Sequence, residues 1–79
     1  MDVHVKLLAG LRQYRPELSP GMAMTLQVPE GTTARQVAAR VGIPESVPLV
    51  VMVNAGVCRP DHVLAEGDTV SLFQPVAGG

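Results

Sequence analysis

One stretch of this chain reads as an amphipathic helix. Ala34, Val37, Ala38 and Val41 recur at spacings of three and four residues and so fall on a single apolar stripe. Thr33 and Gln36 stand where a capping box needs them, with hydroxyl and side-chain amide answering the exposed N–H groups of a helix start. Gly42 follows the last turn and Pro44 bars continuation. The other periodic segments alternate, the mark of half-buried strands: Val3, Val5 and Leu7, then Met22, Met24, Leu26 and Val28, and finally Thr69 to Phe73. Leu49-Val50-Val51-Met52-Val53 is a denser β-prone run of the kind a central strand shows. Asn54-Ala55-Gly56 and Glu66-Gly67-Asp68 read as turns, with Val57-Cys58 starting a brief return strand. Gly10 marks a turn or bulge, and Arg12 to Gly21, which holds Pro16 and Pro20, reads as a loop; Arg59 to Leu64 reads as irregular. Each apolar face needs a partner, so the one helix must cover one face of the sheet, an α+β arrangement.

The order strand, strand, helix, strand, short strand, strand fits a β-grasp (ubiquitin-like) roll, a mixed sheet packed on one main helix. The first two strands pair as an antiparallel hairpin with a long connection. By analogy with that fold the final strand lies beside the first and points the tail away from the body. Residues 1–79 make one domain, with 75–79 as an exposed, flexible tail. A chain of this size buries roughly 60% of its extended surface, and a hydrophobic content of 47% suits one compact core.

Formal net charge is -1, with one lysine, Lys6, and scattered arginines. No basic stripe is present to neutralise a phosphate backbone, which argues against nucleic acid. No window is apolar for long enough to span a bilayer. The start, Met1-Asp2-Val3-His4, lacks a basic segment followed by an apolar one, and a cytoplasmic protein is expected. Cys58 is the single cysteine; it could serve as a nucleophile but is expected to be a small buried apolar group. His4 and His62, even with Cys58, lack zinc-site spacing, so no metal or cofactor is expected on this chain. Met22, Met24 and Met52 suit core or partner surfaces.

The segment Val70-Ser71-Leu72-Phe73-Gln74-Pro75-Val76-Ala77 leads into Gly78-Gly79. Glycine has no Cβ, so a narrow catalytic channel can close around such a terminus; the alternative for Gly78 and Gly79 is an ordinary loose chain end. If Val70 and Leu72 face the core, Phe73 faces outward, and an exposed aromatic beside the tail is a natural docking anchor. The alternative for Phe73 is packing over the edge of the core. Val76 and Ala77 suit an extended segment in a partner groove, with Pro75 limiting its conformations. Arg12, Arg59 and Asp61 are candidates for polar contacts around that face, weighed against ordinary solvated surface.

These residues resemble the MoaD/ThiS-like sulfur carriers, the family of the molybdopterin synthase small subunit and the thiamine-pathway sulfur carrier. The resemblance runs through Val5-Lys6-Leu7-Leu8-Ala9-Gly10-Leu11-Arg12, Val28-Pro29-Glu30-Gly31-Thr32-Thr33 and Val51-Met52-Val53-Asn54. Its most specific part is Leu64-Ala65-Glu66-Gly67-Asp68-Thr69-Val70-Ser71-Leu72-Phe73 followed by Pro75-Val76-Ala77-Gly78-Gly79. The opening and closing motifs favour the molybdopterin type. Two positions depart from the pattern: Ala55 follows Asn54 where glycine is common, and Gln74 stands where the molybdopterin type often has proline.

The resemblance implies a carrier of activated sulfur rather than an enzyme. An E1-like adenylyltransferase, using ATP and magnesium, would adenylate the Gly79 carboxyl; sulfur delivered by a sulfurtransferase would convert it to a thiocarboxylate. The tail would then donate sulfur to the large subunit of molybdopterin synthase or to another sulfur-accepting enzyme. Gly79 would be the reacting group and Gly78 its slim approach, while Phe73, Pro75, Val76 and Ala77 would contact partners. A two-fold heterotetramer with the large subunit is the expected assembly. The chain has no Walker-type loop, so ATP would bind the partner. Other readings are a carrier for thiamine thiazole or another sulfur-containing metabolite, and a ubiquitin-like modifier or non-covalent binding module. A ferredoxin-like carrier is set aside because one cysteine cannot supply four thiolate ligands.

Overall fold

A computed structural model describes residues 1–17 and 21–75. Five strands form one sheet: β1 (Asp2–Leu7), β2 (Ala23–Gln27), β3 (Val50–Val53), β4 (Gly56–Cys58) and β5 (Thr69–Phe73), with the helix α1 (Ala34–Val41) between β2 and β3. The strand order is β2-β1-β5-β3-β4. β1 pairs antiparallel with β2 and parallel with β5, and β3 pairs antiparallel with both β5 and β4. This is the expected β-grasp roll, with the final strand beside the first. The dense run in β3 is interior, but the middle strand of the sheet is β5.

Alternation divides the sheet into two faces. Val3, Val5, Leu7, Val51, Val53, Val70 and Leu72 point to one side and are buried, joining Ala34, Val37, Ala38 and Val41 of α1 in one core with Leu11, Val28, Ile43 and Leu64. The helix starts as its sequence requires. Gln36 N donates to Thr33 Oγ1 (3.2 Å) and Thr33 N donates to Gln36 Oε1 (2.9 Å), closing both halves of the capping box. It ends at Gly42, whose φ of 103° closes the last turn in the left-handed region. Arg15 Nε donates to Val41 O (3.0 Å), placing a cation at the negative end of the helix.

One sequence expectation is corrected. The chain after β1 is a 3-10 helix over Ala9–Tyr14, not the turn or bulge at Gly10 and the loop from Arg12 that the sequence predicts. Leu11 explains the difference: it is fully buried, and a short helical turn is what brings it onto the core directly after a strand.

The start of β5 is locked by polar contacts at the other end of the sheet. Asp68 accepts from Asn54 Nδ2 (3.2 Å) and from Ala65 N (2.8 Å). Asn54, held at a φ of 58°, accepts from Thr69 N through Oδ1 (3.1 Å) and donates its own N–H to Thr69 O (2.7 Å). His4 N donates to Asp68 O (2.8 Å), fastening the same turn to β1.

The parity of β5 predicts a contrast between neighbours. Leu72→Ala should lower unfolding free energy by about 2–5 kcal/mol through a core cavity, whereas Phe73→Ala should cost about 1 kcal/mol or less; urea denaturation of the two variants checks this. Asp68→Ala should cost about 0.5–1.5 kcal/mol by removing two solvent-exposed hydrogen bonds, with faster amide exchange at Ala65 as its local signature.

Candidate functional site

The face of the sheet away from α1 is where β5 presents its outward residues. Phe73 is half-buried and lies opposite Val50 on β3, while Ser71 lies opposite Met52, which in turn pairs with Val57 on β4. None of Phe73, Val50, Met52 and Val57 belongs to the core or to the side chains packed against it, and Val57 is 74% exposed. Leu8, half-buried and one residue beyond the buried Leu7, falls on this side by alternation. Phe73 therefore belongs to an apolar strip that crosses β5, β3 and β4 without a covering element from the described residues. It does not pack over the edge of the core. Farther along the same face the character turns polar: His4 Nδ1 and Thr25 Oγ1 are hydrogen-bonded at 3.0 Å, and Lys6 lies beside Ser71.

Two residues past Phe73 the described chain ends at Pro75, which is exposed. The expectations for Val76, Ala77, Gly78 and Gly79 fall outside the described residues. The apolar strip and Pro75 thus stand at the point from which the last four residues depart.

The other singled-out residues do not assemble into a site. Arg59 Nε and Asp61 Oδ1 are 3.7 Å apart with both side chains largely exposed, a solvated pair of little energetic weight. Arg12 is half-buried, and its Nε is buried with no hydrogen-bond partner among the described residues. Cys58 is half-buried rather than buried; it packs against the core, with Sγ 3.6 Å from Gly56 O. Met24 packs against the core, Met52 lies on the outward strip and Met22 is exposed. Among the described residues no three His, Cys, Asp or Glu side chains come together as metal ligands. No described helix is long and apolar enough to cross a membrane. A shallow depression lined by Pro29, Thr32, Gln36, Ala39 and Arg40 lies on the helix side, away from Phe73.

Sequence reasoning found Phe73 through strand parity. It missed Val50 and Val57 as its companions, because those positions acquire meaning only from the register of β5 on β3 and of β3 on β4. The available signal was the uninterrupted apolar run of Val50 to Val53, which supplies side chains to both faces.

Comparison with known proteins places this geometry. RnfH of Cereibacter sphaeroides is 35% identical over 57 residues, 65% of this chain and 67% of RnfH. Among solved structures, SAMP1 from Haloferax volcanii superposes with a TM-score of 0.73 at 22% identity over 100% of both chains. A Pyrococcus furiosus protein assigned as subunit 1 of a molybdopterin converting factor gives 0.69 at 25% identity, over 96% of this chain and 99% of that one. The complex of subunits 1 and 2 of the molybdopterin-converting factor from Helicobacter pylori gives 0.61 at 19% identity over 100% of both chains. The ubiquitin-like β-grasp fold is common to these structures. The ThiS family model matches residues 5–79, from the middle of β1 through the final glycine; this chain is a member of the ThiS family.

Proposed function

We propose that this sulfur-carrier family member works through its last residue: the Gly79 carboxylate is adenylated, converted to a thiocarboxylate, and used to donate sulfur in molybdopterin biosynthesis. The observation that carries the reading is the junction at the end of β5. An outward aromatic, Phe73, stands on an apolar strip, and the chain leaves from it through Gln74 and Pro75 toward Gly78-Gly79. The match to the ThiS family, which extends to residue 79, supports the same assignment.

The chemistry follows from the poor electrophilicity of a carboxylate. An oxygen of Gly79 attacks the α-phosphorus of ATP, held with magnesium by an E1-like partner, and pyrophosphate leaves. A sulfide-level nucleophile supplied through a sulfurtransferase then attacks the acyl carbon and AMP departs with the bonding electron pair. The product is a thiocarboxylate whose sulfur is the stronger nucleophile. This chain's own contribution is binding and presentation: the strip around Phe73 docks, and glycines at 78 and 79 leave room around the reacting carbon. It is a cytoplasmic co-substrate and small subunit rather than a catalyst.

A large subunit of molybdopterin synthase is the proposed acceptor. Likeness to the Pyrococcus protein and to the two-subunit Helicobacter complex supports that choice. Carriage of sulfur to thiamine thiazole or to another metabolite, and action as a modifier or binding module, are the outcomes that the test below separates.

Incubation with the E1-like partner, ATP and a sulfur donor should exchange one oxygen for one sulfur, seen as the corresponding rise in intact mass. Removal of Gly79 should abolish it, and Gly78→Ala should slow it while leaving the fold intact. An unchanged mass with an active partner, or attachment to a lysine amine instead, overturns the carrier reading. Transfer only to a thiazole-forming acceptor retains the carrier chemistry and overturns the molybdopterin assignment. Phe73→Ala should weaken binding to the activating partner about ten-fold or more, as removal of an aromatic anchor does; titration calorimetry with the folded variant checks this.

A further inference from the structure

Gly10 occupies a place where its backbone has no need of glycine. It lies inside the 3-10 helix Ala9–Tyr14, whereas the glycines with positive φ are Gly21, Gly31, Gly42 and Gly67. Glycine in a helical turn is entropically inferior to alanine, so a bare position here points to a need for space. Gln74 fills that space. A Cβ added to Gly10 would stand 2.9 Å from Gln74 Oε1 and 4.0 Å from its Cδ, too close for the oxygen to stay where it is.

Both sides of this contact rest on fixed supports. Leu11, the next residue, is fully buried, and Leu8 N donates to Leu72 O (3.0 Å), pinning the start of the helical turn to the end of β5. Gln74 is half-buried, two residues beyond Leu72. Pro75 follows it, with its own φ set by the ring and with a steric bias of Gln74 toward extended conformations.

We propose that Gly10 is the seat of the Gln74 side chain and that this contact sets the direction in which the chain leaves β5. Gly10 and Gln74 are positioning residues for activation of the tail, a role that rests on the sulfur-carrier reading. The side chain lying across the bare glycine restricts rotation at Gln74, and Pro75 restricts the next step. A partner that receives a tail root already set in direction loses less conformational freedom on binding.

The test compares the full-length wild type with Gly10→Ala, Gln74→Ala and the double variant. Gln74 ends in a flexible amide that can swing aside, so Gly10→Ala should keep the wild-type thermal midpoint. In the wild type, nuclear Overhauser contacts should join the α-protons of Gly10 to the side-chain amide of Gln74, and the corresponding contact should be lost in Gly10→Ala. In ATP-dependent activation by the E1-like partner, either single variant should raise the KM for the carrier about three- to ten-fold with kcat unchanged. The double variant should be no worse than the singles, because both remove one contact.

Absence of the contact in the wild type, an unchanged KM, a fall in kcat alone, or additive losses in the double variant overturns the proposal. Failure of the wild type to be activated by its cognate E1-like partner overturns the sulfur-carrier reading and with it the positioning role. The Overhauser contact then still decides, separately, whether the seat exists.

Discussion

The parallel pairing of β1 with β5 is the constraint on which the molecule depends. Parallel neighbours cannot be joined by a tight turn, since the chain must return to the starting end of the sheet before it can pair again. Here everything from Leu8 to Asp68 forms that return, so β2, α1, β3 and β4 are all parts of one crossover. The pairing places Val5 beside Val70 and Leu7 beside Leu72, and all four are buried under α1. Stability and presentation of the tail thus draw on the same strand. β5 is the middle of the sheet by its buried residues, and the base of the tail by its last one.

Strand alternation separates two duties along β5 at the resolution of single residues. Val70 and Leu72 secure the core, while Phe73 and its neighbours Val50, Met52 and Val57 face outward. A small carrier needs this economy, because a domain of this size has room for one core and no second layer to shield the opposite face. An apolar strip left outward at the end of β5 contributes little to the core that holds the domain together.

Much of this was legible in the residues themselves. The capping box at Thr33 and Gln36, the stop at Gly42, the turn at Glu66-Gly67-Asp68 and the alternation in β1, β2 and β5 are local signals, and each appears where its chemistry places it. The 3-10 helix was not legible: six residues are too few to show a helical period, and Gly10 and Pro16 read as breakers. Its cause is tertiary, the burial of Leu11. Strand order was likewise invisible to periodicity, since a period of two says which face a side chain takes and not which strand stands next to it; the place of the final strand beside the first came from analogy with the fold. The outward strip was half legible for the same reason. Phe73 follows from parity alone, while Val50 and Val57 follow only from register. The functional expectations for Val76, Ala77, Gly78 and Gly79 rest on sequence and kinship, because these residues lie beyond the described chain.

The parallel arrangement also sets a polarity on the whole domain. β1 begins at Asp2 beside the Asn54–Asp68 lock, and β5 ends at the opposite edge, so the first residues of β1 and the departure point of the tail are separated by the length of the sheet. Gly67 N donates to Asp2 O, and from Gly67 to Phe73 the chain advances by about 3.3 Å per residue, roughly 20 Å in all. An extension joined ahead of β1 would emerge at the far pole from Phe73 and Pro75. The domain can therefore be tethered, tagged or fused at one pole while the other remains unobstructed for a partner.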